Sequence, residues 1–319
     1  MPTSHELIVA IDQTEIADRL HRYARDAQGA MSPNTVRAIR SDTSLFTTWC
    51  AEHGHQPLPA NPETIAAFID AMAADRKPAT VRRYVASIAH LHRAADFPTP
   101  TASPKVKLAV KRMNRQRGVR QDQAAALNRP VVNAMIAKAG DRLIDLRNVA
   151  LLSVAYDTMC RRSELVDLNV EDMQIAPDGT GSILVRRSKT DQGGEGMVRF
   201  LASDTVHYLQ RWRQQAEIES GLLFRSVSKG GEVRGGLDAG DVSRIFRRMT
   251  KSAGTDIPMV SGHSTRIGAC QDMVAAGLEI GEVMQAGGWR SPTMVARYSE
   301  RQNVRRGAAF KLAVIQDRA

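Results

Sequence analysis

Six side chains in this sequence have types and an order that could act on a phosphodiester. Arg161 stands in Cys160-Arg161-Arg162-Ser163-Glu164-Leu165, and Lys189 in Arg187-Ser188-Lys189-Thr190. His263 and Arg266 share an HxxR spacing in His263-Ser264-Thr265-Arg266. Trp289 follows two glycines in Gly287-Gly288-Trp289-Arg290-Ser291, and Tyr298 comes on the next short stretch. A phosphodiester is an anion, and its transition state gathers further charge on the non-bridging oxygens. Two arginines form the natural clamp, because a planar fork donates two parallel hydrogen bonds and stays charged. A nucleophile, a proton donor for the departing oxygen and a neutral imidazole or indole donor complete such a set. Tyrosine is a poor nucleophile at its free pKa of about 10, so it needs cations beside it. Glu164, three residues after Arg161, is close enough to hold that guanidinium, and HxxR places both side chains on one helical face if a helix starts there. Each piece alone has an ordinary structural reading, as a surface charge, a core plug or a packing ring. Their joint occurrence in this order carries the weight.

The elements that must position these groups read as mostly helical, since aromatics make up only 5% and alternating strand patterns are rare. Val36, Ile39, Thr43, Phe46 and Trp49 recur at helical spacing over residues 33–53, after a Ser32-Pro33 start. Asn61-Pro62 opens a second helix and Pro78 a third; the turn Phe97-Pro98-Thr99-Pro100 precedes another from about Ser103. This predicts an N-terminal helical bundle over residues 1–122, a linker over 123–128 and a second domain over 129–319. In the second domain, helices are expected over 130–139 and 141–158. Runs 182–189 and 196–201 favour strands around the polar turn Thr190-Asp191-Gln192-Gly193-Gly194, so a small antiparallel sheet is expected with Lys189 at its turn. Beyond it the pattern is helical to the C-terminus. The fold class is therefore mainly α.

The chain has 319 residues, which favours two domains, and a formal net charge of +10, a field that draws polyanions such as nucleic acid. No apolar run approaches a spanning helix and no signal peptide is visible, so a cytoplasmic protein without a membrane partner is expected. Cys50, Cys160 and Cys270 form no CxxC pair and read as buried reduced thiols. A GxxxxGK[ST] nucleotide loop and a carboxylate cluster for a two-metal nuclease are both missing from the sequence, so neither a metal nor a nucleotide cofactor is expected.

On these motifs the chain resembles the tyrosine recombinases, the phage integrase family. The tightest stretch runs from Ser261-Gly262-His263-Ser264 to Met284-Gln285-Ala286-Gly287-Gly288-Trp289, and the likeness extends through Phe46-Thr47-Thr48-Trp49-Cys50, from about residue 30 onward. The resemblance implies a helical core-binding domain, then a mostly helical catalytic domain with a small sheet. It implies that Tyr298 forms a 3′-phosphotyrosyl link and that Arg161 and Arg266 clamp the scissile phosphate. Lys189 would protonate the departing 5′ oxygen, His263 would assist at the tyrosine, Trp289 would donate to a phosphate oxygen, and Glu164 would orient Arg161. Many members carry His where this chain has Trp289. The implied partners are duplex DNA with a specific recombination site and three further copies, a homotetramer joined through the C-terminal helix over 303–316.

For DNA contact, residues 238–252 combine an apolar stripe (Val242, Ile245, Phe246, Met249) with Arg244, Arg247, Arg248 and Lys251 on other faces. A position that carries a base-reading arginine in the family is Gly240 here, which implies a different target site. Arg40, Thr80, Arg82 and Arg83 lie on helices that face DNA in the family, and Lys229 matches a backbone contact. Residues 105–120 carry Lys105, Lys107, Lys111, Arg112, Arg115, Arg117 and Arg120 with no acid among them, which favours phosphate contact over a solvated face. Two other readings stay open: a helical DNA-binding regulator, with Glu279 to Tyr298 as a helix-turn-helix, and a type IB topoisomerase.

Overall fold

Pro33, Pro62, Pro78 and Pro104 each occupy the first turn of a helix, where the missing N–H costs nothing and the fixed φ suits the helix. Ser32 and Asn61 cap two of these starts by accepting from Thr35 N and Thr64 N. The computed structural model describes residues 13–188, 191, 193–255, 257–304 and 307–318, without the side chains of Gln13 and Arg301. The chain divides into two compact units, 1–122 and 123–319.

In the first unit α1 (Gln13–Asp26), α2 (Pro33–Glu52), α3 (Pro62–Asp75), α4 (Pro78–Ala94) and α5 (Pro104–Arg117) follow one another. Phe46, Ile65, Phe68, Ile69, Val81, Ile88 and Met113 fill the core of α2 to α5, with Phe46 and Phe68 edge to face at 5.1 Å. The helix α1, which the sequence reading left out, packs separately through Ile16 against Leu58 and Ala95. The basic run on α5 is not without acids. Glu63 and Asp70 on α3 pair with Lys105 and Arg112, a compensation invisible along the α5 sequence.

The second unit begins with α6 (Arg129–Ala137) and α7 (Leu143–Asp157). Residues 146 to 155 of α7 are all buried, so this helix is the axis around which the unit packs. Next come α8 (Arg162–Val166), the strands β1 (Met173–Ile175), β2 (Gly181–Val185) and β3 (Met197–Leu201), and α9 (Ser203–Gln215). The three strands form an antiparallel sheet in the order β1-β2-β3, with Ile183 opposite Arg199. A hairpin of β4 (Arg225–Val227) and β5 (Val233–Gly236) leads to α10 (Ala239–Ser252), α11 (Ser264–Ala276), α12 (Ile280–Gly287), α13 (Thr293–Tyr298), α14 (Glu300–Val304) and α15 (Ala308–Ile315).

Three details depart from the sequence reading. β2 ends at Val185, earlier than expected, and Asp191 gathers the amides of Gly194, Glu195 and Gly196 into a tight loop before β3. β1 and the β4–β5 hairpin were not anticipated, as three or four residues are too few for alternation to register. The expected linker, 123–128, is extended but fixed to the second unit. Ala125 N donates to Met259 O and Leu127 N to Ser264 O, and Leu127 is fully buried. A Cβ on Gly268 of α11 would lie 2.0 Å from the Leu127 carbonyl oxygen, so only glycine lets the segment lie there.

Candidate active site

Arg161 sits at the N-terminal cap of α8 in extended conformation, which turns its side chain away from the helix axis. Glu164, one turn in, accepts the Arg161 backbone N–H at 2.8 Å with one carboxylate oxygen and Arg161 Nη1 at 2.6 Å with the other. The same carboxylate thus fixes both ends of the residue. Glu164 is buried, so removing the guanidinium would strand a charge.

Arg266 lies in the first turn of α11 and is only 2% exposed. Its Nη1 donates to the Met159 carbonyl and its Nη2 to the Gly287 carbonyl at 2.6 Å. The guanidinium also lies over the Trp289 ring, 4.4 Å from its centroid. Met159 holds a left-handed φ of 53°, an uncommon conformation for a residue with a side chain, and the turn it makes carries the chain from α7 to Arg161. Burial, then the nearby Arg161, lowers the Arg266 pKa to about 10, and Tyr298 and Glu164 oppose that shift. Even so the group stays charged at neutral pH.

His263 is the residue just before α11, on the exposed rim of this cluster. Loss of solvent around its ring, then the charges of Arg266, Arg161 and Arg162, hold its pKa below the ordinary imidazole value. A ring in that field is neutral at pH 7 and can accept a proton.

Trp289 is placed by the end of α12. Gly288 is left-handed at φ 60°, and Trp289 N returns to Met284 O at 2.9 Å, closing the helix. A Cβ on Gly287 would come 2.2 Å from the indole, so the ring folds back over a position that must be glycine. Tyr298 ends α13, is 8% exposed, and meets Trp289 edge to face at 5.8 Å. Gln271 Nε2 donates to its carbonyl at 2.9 Å, anchoring α13 on α11.

The structure therefore brings Arg161, Glu164, His263, Arg266, Trp289 and Tyr298 into one cluster. Lys189 lies outside the described residues; the loop that carries it springs from β2 and returns as β3. One member escaped the sequence reading: Arg199, buried on β3 against the end of α12. Alternation along the strand pointed the other way, since Val198 and Phe200 read as the apolar face while Arg199 and Leu201 are the buried pair.

The residues expected to meet DNA are scattered, and three of the six are engaged by other side chains. Arg40 on α2 is exposed and Thr80 on α4 half-buried. Arg82 donates to Asn114 Oδ1 at 2.9 Å, and Arg83 pairs at 2.8 Å with Asp42, a fully buried carboxylate that also accepts from Ser87. Arg83 is thus part of the scaffold of the first unit. Lys229 is exposed in the β4–β5 turn. On α10 the stripe Val242, Ile245, Phe246 and Met249 is buried as expected, with Arg244 outside and paired to Asp241 one turn earlier. Among the described residues no group of His, Cys, Asp and Glu is arranged to hold a metal ion, and no helix is long and apolar enough to cross a membrane.

Comparison with known proteins gives the family and the fold. The phage integrase family pattern matches residues 125–305, and the phage integrase N-terminal SAM-like domain matches 21–96. The chain is 28% identical to the recombinase Cre of Escherichia phage P1 over 97% of both chains. It is 30% identical to an integrase/recombinase XerD homolog of Selenomonas ruminantium, over 88% of this chain and 85% of that one. Among solved structures, the Tn1549 transposon integrase in complex with transposon right end DNA superposes with a TM-score of 0.62 at 14% identity, covering 91% of this chain and 99% of that one. A lambda integrase dimer bound to a COC′ core site gives 0.59 at 17% identity, covering 89% and 94%. These two likenesses speak for the fold.

Proposed function

Because the chain belongs to the phage integrase family, the tyrosine recombinases, we propose that it is a site-specific DNA recombinase using Tyr298 as its nucleophile. The Tyr298 phenol oxygen attacks the scissile phosphorus, a P–O bond forms to the ring, and the bond to the 5′ oxygen breaks. The protein is left joined to DNA through a 3′-phosphotyrosyl link, and a 5′ hydroxyl departs. Attack by the 5′ hydroxyl of a second strand reverses the step. The phosphoester energy is conserved, so no nucleotide cofactor is consumed, and the cations come from the chain rather than from a metal.

Arg161 and Arg266 clamp the non-bridging oxygens, a role that favours forks held rigid before the phosphate arrives. His263, kept neutral by loss of solvent and then by its cationic neighbours, accepts the phenol proton. Trp289 donates its indole N–H to a phosphate oxygen, Lys189 delivers a proton to the leaving oxygen, and Glu164 keeps Arg161 aimed. The observation that carries this reading is the seat of Arg266, whose guanidinium is pinned between two backbone carbonyls and an indole with the Tyr298 ring beside it.

Duplex DNA is the substrate, held by the first unit through α2 and α4 (Arg40, Thr80, Arg82) and by the second through Lys229 and Arg244 on the β4–β5 turn and α10. Four copies act on two sites, joined by α15. In support, α15 has no buried residue, and Phe310, Leu312, Val314 and Ile315 are all exposed around it, an apolar helix suited to burial in a second copy. That unburied helix favours a recombinase over a topoisomerase acting alone. We place the reaction in the cytoplasm, where the three free cysteines stay reduced.

A nicked suicide duplex carrying the target site tests the proposal. The protein should become covalently attached to it, and Tyr298→Phe should remove the adduct while leaving binding intact. An adduct that persists in Tyr298→Phe would rule out this nucleophile.

A further inference from the structure

Arg199 stands in the middle of β3 at 9% exposure, between Val198 and Phe200, which face outward at 58% and 61%. Its Nη1 donates to the carbonyls of Gln285, at 2.9 Å, and Ala286. Its Nη2 packs on Gly288, where any Cβ would clash with it, and its Nε has no hydrogen-bond partner. The next carbonyl along, that of Gly287, is taken by Arg266 from the other side. Three successive carbonyls at the end of α12 are therefore held by two buried guanidiniums, one from β3 and one from α11.

Helix capping alone does not call for this. The left-handed Gly288 and the return of Trp289 N to Met284 O already close α12. Burying a guanidinium without a carboxylate partner and with one N–H unmet is costly, and desolvation accordingly depresses its pKa. What the arrangement adds is immobility in the turn that presents the indole. From this geometry we infer that Arg199 is a positioning residue for strand cleavage. It fixes the Gly287-Gly288-Trp289 turn so that the Trp289 indole and the Arg266 fork meet the phosphate in one geometry. It also ties β3, the strand that leaves the Lys189 loop, to that turn. The inference rests on the recombinase reading above.

The test is single-turnover cleavage of the nicked suicide duplex at saturating DNA, with binding measured in parallel, for full-length Arg199→Met, Trp289→Phe and the double variant. Misplacement of catalytic groups by about 1 Å costs on the order of 100-fold, so Arg199→Met should cleave roughly 10- to 100-fold slower with DNA affinity unchanged. If Arg199 acts through Trp289, the double variant is no slower than the slower single one. Cleavage at the wild-type rate in Arg199→Met, or a loss of DNA affinity in place of a loss of rate, would overturn the inference. Losses that multiply in the double variant would remove Trp289 from it and leave Arg266 as the group positioned. Should Arg199→Met not unfold cooperatively, Arg199→Lys takes its place in the same cycle, since it keeps the charge but loses the fork. Absence of an adduct with the unmodified protein would instead defeat the recombinase reading itself.

Discussion

Arg266 and Arg244 carry the same head group on helices of the same unit, yet they are held in opposite ways. Arg266 is buried, gripped by two main-chain carbonyls and an indole, none of which can turn away. Arg244 is exposed and leans on Asp241, a flexible carboxylate one turn earlier on its own helix. An exposed pair of that kind is worth little and can exchange Asp241 for a phosphate at small cost. The seat of Arg266 permits no exchange. The site is preorganised for one geometry, while the outer cations can adapt to whatever backbone they meet.

The comparison can be broken in several ways. Arg266→Lys should have the largest effect, because a point charge cannot serve Met159 O, Gly287 O and a substrate oxygen together. Single-turnover cleavage should fall by about 100- to 1,000-fold with binding retained. Glu164→Gln should cost roughly 10- to 100-fold, since Arg161 loses its charged anchor but keeps a neutral acceptor. A loss in affinity instead of rate would mean that Arg161 is held like a surface residue after all.

The pH dependence sharpens the same point. Solvent loss and neighbouring cations depress the His263 pKa, so its neutral, proton-accepting form persists as pH falls through the ordinary imidazole value of about 6.5. The acid limb of cleavage should therefore lie below the ordinary imidazole value and be absent in His263→Ala. A limb centred at or above the ordinary value would show that neither solvent loss nor the neighbouring cations depress the ring's pKa.

Two smaller effects concern the scaffold. Gly268→Ala drives a methyl into the Leu127 carbonyl and should lower stability by about 1–3 kcal/mol in denaturant unfolding. Arg83→Ala leaves the buried Asp42 carboxylate with Ser87 alone and should cost about 1–3 kcal/mol, toward the low end because Arg83 is half exposed. Arg244→Ala should change stability by less than about 0.5 kcal/mol, weaken DNA binding a few-fold and flatten the salt dependence of log affinity by about one unit.

The cluster around Arg266 was legible in the sequence because the proposed chemistry demands particular residue types in a fixed order: HxxR, Gly-Gly-Trp and a late tyrosine. The helices were legible too, marked by Ser-Pro and Asn-Pro starts and by apolar spacing at Phe46, Trp49, Phe68 and Ile88. What stayed hidden depends on partners distant in sequence. Nothing near Arg83 announces Asp42, and nothing along α5 announces Glu63 and Asp70. Arg199 reads as a surface charge until the end of α12 is folded against β3. β1 and the β4–β5 hairpin were too short to leave a pattern, and α1 has its own small core apart from the main bundle.

The carbonyl end of α12 has one more consequence. A helix terminus carries a partial negative charge, and here it is directed at two of the site's guanidiniums. Together with Glu164 on Arg161, it offsets part of the mutual repulsion among these cations whether or not DNA is bound. The proposed reaction, which runs forward and backward, would gain from such a standing counterweight, because the pocket would neither collapse onto its anion nor spring open when that anion departs.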